Sequence, residues 1–106
     1  MLRANGIVHA LEGVAGLAAA QGDARRAARL YGAAEALREV IRTPLAPFDR
    51  TEYDRYVAVA RAQLDEAAFA AVWAEGRAMP LEQAIAEALH ATSAVPTPGH
   101  LPPPTP

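Results

Sequence analysis

Apolar positions recur along this chain at helical spacing, and nowhere with the two-residue alternation of a strand. From about Asn5 to Gln21, the larger apolar residues Ile7, Leu11, Val14 and Leu17 fall at intervals of four, three and three. That spacing sets them on one face of a first helix. Gly22-Asp23 ends it: glycine suits the left-handed backbone that follows a helix, and aspartate can cap the next one. A second helix, from about Ala24 to Ile41, carries the stripe Ala27, Leu30, Tyr31, Ala34, Leu37 and Ile41. A two-residue turn obliges the pair to lie antiparallel.

Thr43-Pro44-Leu45-Ala46-Pro47 is a rigid break. A third helix is expected from Asp49, whose carboxylate can accept from the Glu52 amide in a capping box, with Phe48 and Tyr53 at the staple positions. It runs to about Leu64 and turns Tyr56, Val57 and Ala60 inward. Asp65 caps a fourth helix anchored by Phe69, Val72 and Trp73, and Leu64 with Phe69 repeats the staple spacing. Gly76 or Met79-Pro80 stops it, because the residue before proline is biased away from helix. A fifth helix carries Leu81, Ile85 and Leu89 to about Ala91. After Thr92 the chain is proline-rich and uncharged, which predicts an extended, disordered tail of polyproline II character. The expected architecture is all-α: an antiparallel hairpin plus three further helices over residues 1–91, then a tail over 92–106.

Composition sharpens this in one respect. Hydrophobic residues make up 52% of the 106 residues, but much of that share is alanine, a strong helix former that fills little volume. Helices of this kind approach closely around a thin core. A domain of roughly 90 residues buries only about 60–65% of its unfolded surface, so a partner or a second copy would add stability. The absence of cysteine excludes disulfides and thiolate metal sites. Lysine is absent too, and all ten basic residues are arginine. A net charge of −2 and a pI near 5.9 argue against direct nucleic-acid binding. No apolar run approaches a membrane span, and Met1 to Gly6 lacks the design of a secretion signal. The default location is the cytoplasm.

Candidate chemistry is sparse. The one serine, Ser93, falls in the tail, while Thr43 and Thr51 read as turn and first-turn residues, so serine and cysteine hydrolases find no nucleophile. His9 with Glu12, and Glu87 with His90, sit three apart on their helices, each pair on one face. Di-metal carboxylate bundles use this spacing, and two such pairs could meet around Zn²⁺ or Mn²⁺. The plainer reading is that each is a solvated polar position. His100 lies in the tail. Glu35–Arg38 and Glu39–Arg42 read as ion pairs along the second helix, and Arg50–Asp54 as a similar pair on the third. Arg25, Arg26 and Arg29 cluster at the start of the second helix, against its dipole. They would suit an acidic partner or a phosphate, or form a solvated face. The aromatic residues read as core, and the tail as a floppy terminus or a ligand for proline-binding grooves.

Measured from Gly22-Asp23, Leu11 stands at the early large position of a tetratricopeptide repeat and Val14-Ala15 at the Leu-Gly position. Ala27, Tyr31 and Ala34 take the Ala, aromatic and Ala positions of its second helix. Longer strings extend the likeness: Ala10-Leu11-Glu12-Gly13, Ala33 through Glu39, Pro44-Leu45, Glu52-Tyr53, Phe69 through Arg77, and Leu81 through Ile85. Over residues 7–91 the chain resembles the C-terminal end of the tetratricopeptide-type array in large bacterial LuxR/MalT-type transcriptional regulators and signalling ATPases. It departs where Leu11 and Ala18 replace aromatics, and at Pro80, where that family often has a Ser or Thr cap. The resemblance implies an array terminus without the ATPase, cyclase, kinase or helix-turn-helix parts; a chain with no lysine has no Walker A lysine. The reading is a non-enzymatic helical protein-interaction module. An orphaned face on its first helix would meet a protein partner or a second copy, giving a homo-oligomer. The alternative is a small metal-dependent hydrolase using His9, Glu12, Glu87 and His90.

Overall fold

The computed structural model describes residues 4–93, apart from the side chains of residues 4, 5, 48, 92 and 93. The tail expected beyond Ser93, with His100, and the Phe48 side chain of the expected staple lie outside the described residues. Five helices follow one another: α1 (Ala4–Ala20), α2 (Ala24–Ile41), α3 (Pro47–Ala62), α4 (Glu66–Ala78) and α5 (Leu81–Ser93). The described residues contain no strand, so the all-α expectation holds. α5 runs two residues past its expected end at Ala91.

Local chemistry explains most of the boundaries. α1 ends in a glycine-centred turn, with Gly22 at φ 85° and the Asp23 amide donating to the Ala18 carbonyl at 2.8 Å. Asp23 then caps α2 by accepting from the Arg26 amide, and Asp65 caps α4 by accepting from the Ala68 amide at 2.7 Å. The expected start of α3 needs correction. The helix begins at Pro47, following Ala46, with no side-chain cap. Proline with its preset φ opens a helix at its first position, which leaves Asp49 as an acidic first-turn residue rather than the cap.

α2 is the central helix. It lies antiparallel to α1 on one side and alongside α4 on the other, with α3 crossing both α1 and α2. Ala24–Ala28 share a cluster with Phe69 and Val72, while Glu35 and Glu39 reach Arg77, so α4 runs in the same sense as α2. Two glycines set this contact. A Cβ on Gly32 would collide with the Trp73 carbonyl, and one on Gly76 with the Arg29 carbonyl. α5 closes the other end, where Ala84 and Ala88 join Val8, Leu11 and Leu30.

The buried face of α1 also differs from expectation. Val8, Leu11, Ala15, Ala18 and Ala19 are buried, Ile7 and Val14 lie at the margin, and Leu17 is 40% exposed. Val8 and Leu11 fill the core toward α5, while along the rest of α1 close packing against an alanine-rich α2 favours Ala15, Ala18 and Ala19 and leaves Leu17 outside the contact.

Candidate functional site

A groove of about 490 Å³ opens between α1 and α3. Gly13 and Gly16 form its floor on α1, because small side chains three residues apart leave the helix backbone uncovered. Tyr53 and Tyr56 of α3 form its walls, Tyr31 of α2 joins the floor beside Gly16, and Asp49 and Glu52 stand at its rim. Tyr31 is 2% exposed, and no hydrogen bond is made by its hydroxyl among the described residues. Its ring meets Tyr53 edge-on at 5.1 Å and stacks on Trp73 at 6.2 Å, and Trp73 in turn meets Phe69 at 5.4 Å. This aromatic chain ties the groove through α2 to α4. Burial raises the Tyr31 phenol above its ordinary range and pushes Tyr53 up to about 12.

The four residues expected to hold a metal are engaged or dispersed. Arg38 grips Glu12 in a bidentate pair, Nε donating to Oε2 at 2.7 Å and Nη2 to Oε1 at 2.8 Å. Its Nη1 also donates to the Thr43 carbonyl at 2.9 Å. Arg29 holds Glu87 in the same way, Nε donating to both oxygens at 2.8 and 3.1 Å, and lies 3.6 Å from Glu75. His9 and His90 are exposed. Among the described residues no group of three or more His, Asp or Glu side chains is placed to hold a metal. The carboxylates of the two helical pairs serve as tethers between helices.

The expected pairing along α2 is corrected in the same way. Arg38 crosses to Glu12 instead of joining Glu35. Glu35 and Glu39 both accept from Arg77 of α4, at 2.7 Å each, and Glu35 also accepts from the Trp73 indole at 2.9 Å. Buried or bridging geometry outcompetes pairs along one solvated helix, which are worth only a few tenths of a kcal/mol. These contacts raise the pKa values of Arg38, Arg29 and Arg77, in each case first through the hydrogen bond to a carboxylate, and lower that of Glu39 through its hydrogen bond to Arg77. Arg50 does lie 3.9 Å from Asp54 as expected. Of the arginines at the start of α2, Arg26 pairs with Asp23, Arg29 with Glu87, and Arg25 is exposed.

Sequence reading did not single out Gly13, Gly16, Asp49 and Glu52 as one surface. The available signal was the Gly-x-x-Gly step on an otherwise alanine-rich helix. No helix of the described residues is long and apolar enough to cross a membrane. No family model, curated protein or solved structure matches the chain.

Proposed function

We propose that the chain is a non-enzymatic protein-interaction module, the terminal piece of a tetratricopeptide-type array of the kind found in bacterial LuxR/MalT-type regulators and signalling ATPases, and that α1 carries its docking face. One observation supports this most. Glu12 is the only charged residue between Ala4 and Ala20, and Arg38 already holds it. The exposed positions of α1 are Gly6, His9, Ala10, Gly13, Leu17 and Ala20, and His9 is the one ionisable side chain among them. A solvated helix face normally carries charge. This one has the small, apolar character of a face that another helix covers, and α3 beside it is charged on its open side.

A second copy of the chain is the occupant tested first. Sedimentation velocity at tens of micromolar should show a reversible dimer, and Leu17→Glu should return it to monomer. A clean monomer across that range would remove self-association. The metal-hydrolase reading gains no support from carboxylates committed to arginines.

A further inference from the structure

The groove between α1 and α3 shares Gly13, Leu17 and Ala20 with the outer face of α1 and adds a polar chemistry from α2 and α3. Glu12, Asp49 and Glu52 line it together with the exposed His9, Arg38 and Arg50 lie close by, and the Arg55 guanidinium stands 5.2 Å from the centre of the Tyr56 ring. Glu12 is neutralised by Arg38, whose field also reaches Asp49. Asp49 and Glu52 make no ion pair and no side-chain hydrogen bond among the described residues. Arg50, near Tyr53, lies toward Asp54. The rim therefore holds excess negative charge over aromatic walls. At the floor, the buried Tyr31 presents a hydroxyl with no partner. Gly16 keeps that hydroxyl open: a Cβ there would stand 3.3 Å from the Tyr31 oxygen and 3.6 Å from the Tyr56 ring. Any side chain larger than hydrogen at position 16 would cap it.

We infer that this groove receives an arginine side chain from a protein partner. A guanidinium is planar, stacks on aromatic faces and donates five N–H groups in a fixed fork. Tyr53, and the face of Tyr56 that Arg55 leaves open, offer the stacking surfaces, Asp49 and Glu52 the acceptors at the rim, and the Tyr31 oxygen an acceptor at the floor. Tyr31 remains a neutral phenol throughout the ordinary pH range, so its oxygen accepts without carrying charge of its own. An acidic segment would meet the rim carboxylates and be repelled. The inference rests on reading the chain as an interaction module, and it concerns the side of the groove built by Tyr31, Asp49, Glu52, Tyr53 and Tyr56.

The test is titration of the full ¹⁵N-labelled chain, at one fixed concentration, with blocked N-acetyl-arginine-methylamide, watching amide shifts. The citrulline analogue, isosteric but uncharged, is the control. Saturable shifts are expected at Gly16, Asp49 and Glu52, with the citrulline analogue binding at least fivefold more weakly. The double variant Asp49→Asn/Glu52→Gln should lose at least fivefold in affinity. Tyr31→Phe, which keeps the ring and removes only the hydroxyl, should lose two- to fivefold, and Gly16→Ala more. If Asp49→Asn/Glu52→Gln fails to fold, Tyr31→Phe and the citrulline control decide alone. Equal shifts with citrulline, unchanged binding in the variants, or shifts spread over carboxylates elsewhere would overturn the proposal. Gly16, Asp49 and Glu52 lie outside the exposed positions of α1, and the titration is run at a concentration where the chain is monomeric, so failure of self-association and failure of the groove are told apart.

Discussion

Arg42 ends α2 in the left-handed region, at φ 56° and ψ 44°, with the Thr43 amide donating to the Arg38 carbonyl at 3.0 Å. Glycine is the residue this position suits, because a Cβ there approaches the following carbonyl. Arg42 is exposed, and none of the contacts above depends on its side chain. Arg42→Gly should therefore stabilise the fold by about 0.5–1 kcal/mol, read as a higher urea midpoint at unchanged slope. Gly32 and Gly76 behave in the opposite way. Alanine in place of an interior helical glycine ordinarily gains about 1 kcal/mol. Here the atoms in the way are the carbonyls of Trp73 and Arg29, which cannot swing aside as a side-chain tip can. Gly76→Ala should cost at least about 2 kcal/mol by forcing α2 and α4 apart, whereas Gly6→Ala, with open space around it, should cost nothing measurable in the same titration.

At the scale of the element, the strongest tether between α1 and α2 is Glu12 with Arg38, whose side chains are 13% and 11% exposed. Removing one partner strands the other charge in a mostly dry site. Arg38→Ala should cost about 3 kcal/mol, and the double-mutant cycle with Glu12→Gln should give a coupling of about 1–3 kcal/mol. If the two effects simply add, the pair contributes little to the hairpin. The helices themselves were legible in the sequence, because caps and breakers act locally: Gly22-Asp23, Asp65 and Met79-Pro80 mark ends that the chain obeys. The face each helix buries was less legible. Hydrophobic spacing weights Ile7, Leu11, Val14 and Leu17; Leu11 is buried as expected, but Val8, Ala15, Ala18 and Ala19 complete the contact and Leu17 stays outside it, and alanine tolerates either environment. Partner choice among charges was least legible. Arg38 has Glu35 three residues away and chooses Glu12 across the hairpin, a preference only the assembled geometry sets. The groove went unread for the same reason, since Asp49 and Tyr31 are brought together by the crossing of α3 over α1 and α2.

At the scale of the molecule, the phenols give a pH limit. Tyr53 is raised from near 10 to about 12, first by burial and then by nearby carboxylates. Ionising it costs more in the folded chain than in the unfolded one. Its contribution to stability is therefore complete below pH 10 and is lost as pH rises from 10 to 12. Phenolate absorbance and far-ultraviolet circular dichroism should change together in that window; if Tyr53 ionised near 10 with helicity intact, its burial would be wrong. Glu12 and Glu87 satisfied by arginine imply that chelator leaves the thermal midpoint unchanged, and a fall of several degrees would return the metal reading. The central claim, that α1 is a docking face, is tested most directly by amide shifts on dilution of the labelled chain from several hundred to about ten micromolar. Concentration-dependent shifts confined to Gly6, His9, Ala10, Gly13, Leu17 and Ala20 are the predicted result. Shifts confined to α4 or α5, or none at all, would contradict it.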